Sequence, residues 1–139
     1  MSAEENKALV RRLFEQFNKG KLAAMAAIDE LFATNIIYHG GGGEEIRSIK
    51  EYKQATSPDI HFTIDDMVAE EDKVAARITM TGTHKGEYMG APPTNKKITI
   101  KAIVIERFAE GKIVEEWGQT DTLGMMQQLC VVPTPKKEK

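Results

Sequence analysis

ITIKAIVIERFAEGKIVEEWGQTDTLGMMQQLC, residues 98–130, decides how the chain folds. Ile98, Ile100, Ala102 and Val104 recur with a period of two, which predicts a long β-strand. The other face of that strand also holds Ile103 and Ile105. Ala109-Glu110-Gly111-Lys112 predicts a hairpin turn, because Gly111 adopts a positive φ at little cost. Ile113 to about Thr120 is the predicted returning strand, and Thr122 to Leu129 a short helix.

Working outward, the period stays at two as far back as Ile60. Val74, Ala76, Ile78 and Met80 alternate, and so do Ile60, Phe62 and Ile64, with the polar turn Glu70-Glu71-Asp72-Lys73 between the two runs. Gly82 to Asn95 reads as a long connection. Before Ile60 the pattern is helical. Leu9, Val10, Leu13, Phe14 and Phe17 share one face, opened by a capping box at Ser2 and Glu5 and stopped near Gly20. A second helix is predicted over Leu22 to about Phe32, then a short strand Ile36-Ile37-Tyr38-His39, a glycine loop, and a helix around Ile49–Ala55 opened by Ser48 and ended by Ser57-Pro58. Helices followed by a meander of antiparallel strands predict an α+β fold, with a curved sheet wrapped around N-terminal helices. Such a sheet leaves an internal cavity suited to a small molecule.

Composition narrows the function classes. The 139 residues suit one compact domain, taken as residues 1–132 with a frayed tail over 133–139. Nineteen basic and twenty-one acidic residues give a net charge of −2, so there is no electrostatic case for nucleic acid or an anionic membrane. No apolar run approaches the roughly twenty residues that span a bilayer. MSAEENK has no signal core, and one cysteine excludes an internal disulfide. The expectation is a soluble cytoplasmic protein.

Two segments carry a family resemblance. TGTHKGEYMGAPPTNKKI (residues 81–98) and GKIVEEWGQTDTLGMMQQL (residues 111–129) resemble the SnoaL-like polyketide cyclases. ALVRRLFEQFNKGKLAA and ELFATNIIYHG fit the same family. The resemblance implies a cone-shaped α+β barrel, shared with ketosteroid isomerase, limonene epoxide hydrolase and nuclear transport factor two. It implies a deep apolar pocket for a small hydrophobic ligand and a homodimer built through the sheet. It also implies intramolecular aldol ring closure without metal or organic cofactor, by an Asp of the last strand with a nearby His. Carried over by motif, that Asp falls on Gly118 and that His on or next to Val104. Asp121 matches a second acidic position of the motif, and His84 a loop His that is not the catalytic one. KLAAMAAIDELF is a few residues longer than the family pattern, and the third helix is shorter.

The candidate acid/base is therefore Asp121. At the start of a helix it also reads as an N-cap, and the cap reading comes first. The candidate pocket wall comprises Phe14, Tyr38, His61, Met80, Val104, Trp117 and Gly118. Tyr38 offers a hydroxyl donor and Trp117 an indole N–H, though each also reads as a packing aromatic. His61 takes the face opposite Ile60 and Phe62, which is either solvent or pocket. Glu106 and Glu116 read first as solvated or cross-strand paired. A bulge at the AEGK turn would instead bring Val104, Glu106, Glu116 and Gly118 onto one face. His39, His61 and His84 are too scattered for a metal triad. Gly40–Gly43 lacks the Lys-Ser/Thr of a phosphate loop. Cys130 reads as a helix stop, since no cation lies close in sequence to activate it. Three readings stay open: an acid–base enzyme on an oxygenated hydrophobic molecule, a non-catalytic binder of such a molecule, and a subunit-interaction module.

Overall fold

The computed structural model describes residues 2–41, 43–55, 60–85 and 92–130. The chain begins with helix α1 (Ala3–Phe17), α2 (Lys21–Leu31) and strand β1 (Phe32–His39). The short β2 (Glu45–Ile46) and α3 (Ile49–Ala55) follow. Then come β3 (His61–Glu70), β4 (Lys73–Thr83), β5 (Lys97–Ala109), β6 (Lys112–Thr120) and α4 (Thr122–Gln128). One curved, unclosed sheet of order β2-β1-β6-β5-β4-β3 results. The β3–β4–β5–β6 meander is antiparallel throughout, whereas β1 joins β6 in parallel. The segments Ser57-Pro58 and 133–139, and the middle of the connection after β4, lie outside the described residues.

Local chemistry explains the boundaries. Ser2 accepts the Glu5 amide proton and Glu5 reaches back to the Ser2 amide, so the capping box starts α1 as its spacing predicts. The β5–β6 turn places both Glu110 and Gly111 at positive φ (53° and 77°), the geometry of a type I′ turn. Strand β1 starts earlier than its apolar run suggests. Phe32 is already extended, at φ −101° and ψ 142°, because it pairs with Ile113 of β6, and its ring packs edge-on against Tyr52 with centroids 4.5 Å apart. Cys130 takes φ 60° just beyond α4, the left-handed stop that glycine supplies more readily.

The core lies between α1, α2 and the concave face of the sheet. Val10, Leu13, Phe14 and Phe17 of α1 meet Ile28 and Leu31 of α2 and Val74, Ala76 and Ile78 of β4. Each of these side chains except that of Ala76 contributes about 1.5–3 kcal/mol by leaving water. A smaller cluster of Ile98, Ile100, Met125 and Leu129 packs α4 over the far end of β5. Helix α1 is also tied to the open edge of the sheet. The Asn18 side chain donates to the Phe62 carbonyl and accepts from the Phe62 amide, both at 2.7 Å, and so acts as one extra rung beyond β3. Phe62 is thereby held with its ring 5.2 Å from Phe14.

Replacing Asn18 by Ala removes both bonds from an edge strand. Urea denaturation is expected to show a loss of about 1–2 kcal/mol, with Asn18→Asp recovering only the accepted bond. Wild-type stability in Asn18→Ala would mean that the clamp does not hold the edge.

Candidate functional site

The concave face of the sheet and the helices enclose a cavity of about 530 Å³. Its apolar wall includes Phe14 and Phe17 of α1, Phe62 of β3 and Met80 of β4. The inward residues of β5 and the underside of α4 complete it. The polar groups that reach it are few: Tyr38, Tyr52, His84, Glu116 and rim residues such as Thr83, Lys85 and Thr120.

The decisive local feature is a bulge in β6. Phe108 pairs with Ile113 but Arg107 pairs with Glu115, so Val114 is the extra residue. The shift turns Ile113, Glu116 and Gly118 all to the inside. On β5 the inward series Ile98, Ile100, Ala102, Val104 continues without a break into Glu106 and Phe108. Glu106 and Glu116 then stand directly opposite one another, with Val104 opposite Gly118. The bulge lies two residues beyond the AEGK turn rather than within it, and it brings Val104, Glu106, Glu116 and Gly118 onto one face, as a bulge at the turn would.

Both carboxyls are withdrawn from water: Glu106 is 0 % exposed and Glu116 5 %. Glu116 reaches the cavity and Glu106 stands behind it. Tyr52 donates its hydroxyl to Glu116 Oε1 at 2.8 Å. Neither oxygen of Glu106 receives a hydrogen bond from an N–H or O–H group of the described residues. Two anions here would lack both solvent and counter-charge, so the pair retains a proton between them. Burial, and then the neighbouring Glu116, hold the Glu106 carboxyl well above the usual range. Burial also raises Glu116, but the bonds from Glu106 and Tyr52 stabilise its anion and oppose that rise. The Tyr52 hydroxyl donates to Glu116, which favours the negative charge of the pair on that member. Burial followed by the charge of Glu116 keeps the Tyr52 hydroxyl neutral and a donor.

Gly118 has a positive structural reason. A Cβ built there would lie 2.8 Å from the Tyr38 hydroxyl oxygen and 3.3 Å from its ring. Tyr38 thus fills the space in which an acid at this position would begin. Its ring meets Tyr52 edge-on at 5.9 Å, which extends an aromatic shelf over the carboxyl pair.

Of the candidate wall residues, Phe14, Tyr38, Met80, Val104 and Gly118 line the cavity. The structure places the other two, His61 and Trp117, and the candidate acid Asp121 elsewhere. His61 is exposed on β3, because the same alternation that turns Phe62 inward turns it outward. Trp117 lies between two inward residues, so it faces the outside of the sheet, stacked on His39 at 5.5 Å. Asp121 is exposed at the N-cap of α4, its carboxylate accepting from the Gly124 amide at 2.9 Å. It is a cap, outside the cavity. On the outer face, Glu115 bonds His39 at 2.7 Å and Arg107 at 3.0 Å. Those bonds, His39 first, lower its carboxyl against the opposing effect of burial. Cys130 does have a cationic neighbour, Lys96 Nζ at 3.0 Å, which its place in the sequence does not reveal. Among the described residues, no group of three or more His, Cys, Asp or Glu could hold a metal, and no helix is long and apolar enough to cross a membrane.

A helix-filled curved sheet with this pocket defines the cone-fold class of small-molecule proteins. Residues 7–129 match the model of the SnoaL-like polyketide cyclases, and the chain belongs to that family. It is 29 % identical over 137 residues to the aklanonic acid methyl ester cyclase DnrD of Streptomyces peucetius, covering 92 % of this chain and 93 % of that one. The similar cyclase DauD of Streptomyces sp. strain C5 is 28 % identical, with 92 % and 84 % covered. Among solved structures, AclR of Streptomyces galilaeus superposes with a TM-score of 0.83 at 29 % identity, covering 98 % of this chain and 87 % of that one. IdmH of Streptomyces antibioticus gives a TM-score of 0.71 at 30 % identity, covering 89 % and 97 %.

The carboxyl pair sets a pH dependence of stability. Its folded ionisation is raised, so its stabilising contribution is fully present below the unfolded carboxyl value of about 4.3 and is lost as pH rises through the folded value. Glu115 acts oppositely, and its contribution is lost only at the acid end, as pH falls through its lowered value. Melting temperatures taken from about pH 5 to about pH 9 should therefore fall in the wild type and fall less in Glu106→Gln. Parallel declines would show that the pair ionises as freely as exposed carboxyls.

Proposed function

We propose that this protein is an acid–base enzyme of the SnoaL-like family, acting on a hydrophobic oxygenated molecule of the polyketide ester type. Glu116 serves as the catalytic carboxylate. The single observation that carries the reading is a carboxyl pair buried at the wall of an otherwise apolar cavity, with a tyrosine donor on the member that faces the ligand. A fold needs no such pair for stability, since apolar residues of equal volume serve as well or better. A base for enolate chemistry needs exactly this combination of low polarity and a tuned carboxylate.

In this reading Glu116 removes a proton from the carbon beside a carbonyl group. The enolate carbon attacks a second carbonyl of the same molecule, and the new C–C bond leaves an alkoxide. The proton held on Glu116 passes to that alkoxide, so the carboxylate is regenerated and no proton is consumed. Tyr52 and Glu106 orient Glu116 and steady its charge, and the apolar wall keeps water from the enolate. The reaction as written uses no metal or organic cofactor. Gly118 and Val104 do not argue for a mere binding protein here, because the acid has moved two residues along β6 while staying on the same face. The outer sheet face, where Ile103 is 52 % exposed beside Ile105 and Trp117, supports self-association through the sheet.

Aklanonic acid methyl ester, the compound named for the related cyclases, is the first substrate to test, with ring closure followed by chromatography and α-carbon exchange followed in D₂O. Glu116→Gln is expected to lower the rate by about 10²-fold or more. Asp121→Asn should keep the wild-type rate while losing about 1 kcal/mol of stability as a weakened cap. Wild-type activity in Glu116→Gln would sink the assignment, as would a wild-type protein that neither closes the ring nor exchanges the α-proton.

A further inference from the structure

We infer that His84 is a specificity-determining hydrogen-bond donor that holds a carbonyl oxygen of the ligand at the end of the pocket remote from Glu116. The tautomer follows from the partners of one nitrogen. The Thr94 amide lies 3.2 Å from His84 Nδ1, and an amide N–H can only donate. Nδ1 must therefore be the unprotonated nitrogen, and the neutral ring carries its proton on Nε2. The Thr94 hydroxyl, 3.0 Å from Nδ1, fixes the same edge of the ring. The backbone holds that edge as well: the His84 amide donates to the Lys96 carbonyl and the His84 carbonyl accepts from the Asn95 amide, both at 2.8 Å.

The opposite edge of the ring is left over. His84 is only 6 % exposed, and its Nε2 is buried without a partner among the described residues. The side chain forms part of the pocket wall. A buried N–H held rigidly with nothing to bond is the arrangement of a donor waiting for an acceptor. Its position says where that acceptor sits. His84 is level with Lys96, whereas the carboxyl pair is level with Glu106 at the other end of β5. Ile98, Ile100, Ala102 and Val104 lie between them on the inner face. The ligand this wall fits has an apolar body with a carbonyl group on a part of the molecule other than the reacting carbon. An N–H donates to ketone and ester oxygens alike and penalises a hydrocarbon or an ammonium group in that place.

The inference rests on the cavity being the ligand site, as proposed above, but not on Glu116 being a base, and a binding experiment separates the two. Three fluorescent probes share one ring system: methyl anthracene-2-carboxylate, 2-acetylanthracene and 2-ethylanthracene. His84→Asn is the informative variant, because its amide oxygen can still accept from Thr94 while its NH2 group ends near the position of Cδ2, short of Nε2. That substitution should weaken the carbonyl probes at least ten-fold and leave 2-ethylanthracene within two-fold. The carbonyl probe that loses more identifies ester or ketone as the favoured group. ¹⁵N spectra of the wild-type imidazole should show the Nε2–H form, with Nε2 moving when a carbonyl probe is added. Equal losses for all three probes would overturn the inference. So would an Nδ1–H ring, or a failure of the wild type to bind either carbonyl probe. A ten-fold selective loss together with full enzymatic activity in Glu116→Gln would uphold His84 and reject the base.

Discussion

An extra residue in one strand governs the chemistry available to this cone. Side chains of a β-strand alternate between faces, so a one-residue slip exchanges the whole inner set for the outer one. Val114 produces that slip near the start of β6. On one side of it Ile113 faces the core; on the other, Glu116 and Gly118 do. Had the ladder continued in step, Glu115 and Trp117 would face the cavity and Glu116 would join Arg107 outside. The buried carboxyl pair, the Tyr52 bond and the closeness of Tyr38 to Gly118 all depend on this local irregularity.

The bulge also explains how two carboxyls can be tolerated in a core. They face each other across adjacent strands, so one proton serves both, and Tyr52 supplies a further donor to the member nearer the ligand. The helix that brings Tyr52 is short, seven residues, but it lies against β1, where Phe32 and Tyr38 both meet the Tyr52 ring. A contact made by aromatic packing thus sets the direction of a hydrogen bond. At the other end of the pocket the same principle recurs, with Thr94 fixing His84 by one nitrogen and leaving the second for a ligand.

Much of the fold is legible in the sequence because its signals are local. Period-two runs mark β3 to β6, the capping box marks α1, and Glu110-Gly111 marks the hairpin. The early start of β1 is not marked, since Phe32 continues the helical apolar series and only its pairing with Ile113, far away in the chain, makes it strand. Asp121 illustrates a partial signal. Its spacing to Gly124 specifies a cap, while its family position suggests chemistry, and the exposed carboxylate bonded to the helix amide settles on the cap. Glu106 carries a sign of burial in the sequence: it occupies an inward step of an unbroken apolar alternation, where a solvated glutamate does not belong.

By itself the sequence determined the class of fold, the order of its elements, the apolar wall of β5 and the family, because periodicity, turn residues and motif spacing act over a few positions of the chain. Tertiary structure alone decided which side chains meet. It set Trp117 and His61 outside and put Glu116 against Glu106 and Tyr52. It also brought Lys96 to Cys130 and left His84 Nε2 as a donor without a partner among the described residues. Those outcomes depend on register across strands and on contacts between residues far apart in the chain, and a one-residue bulge is enough to reverse them.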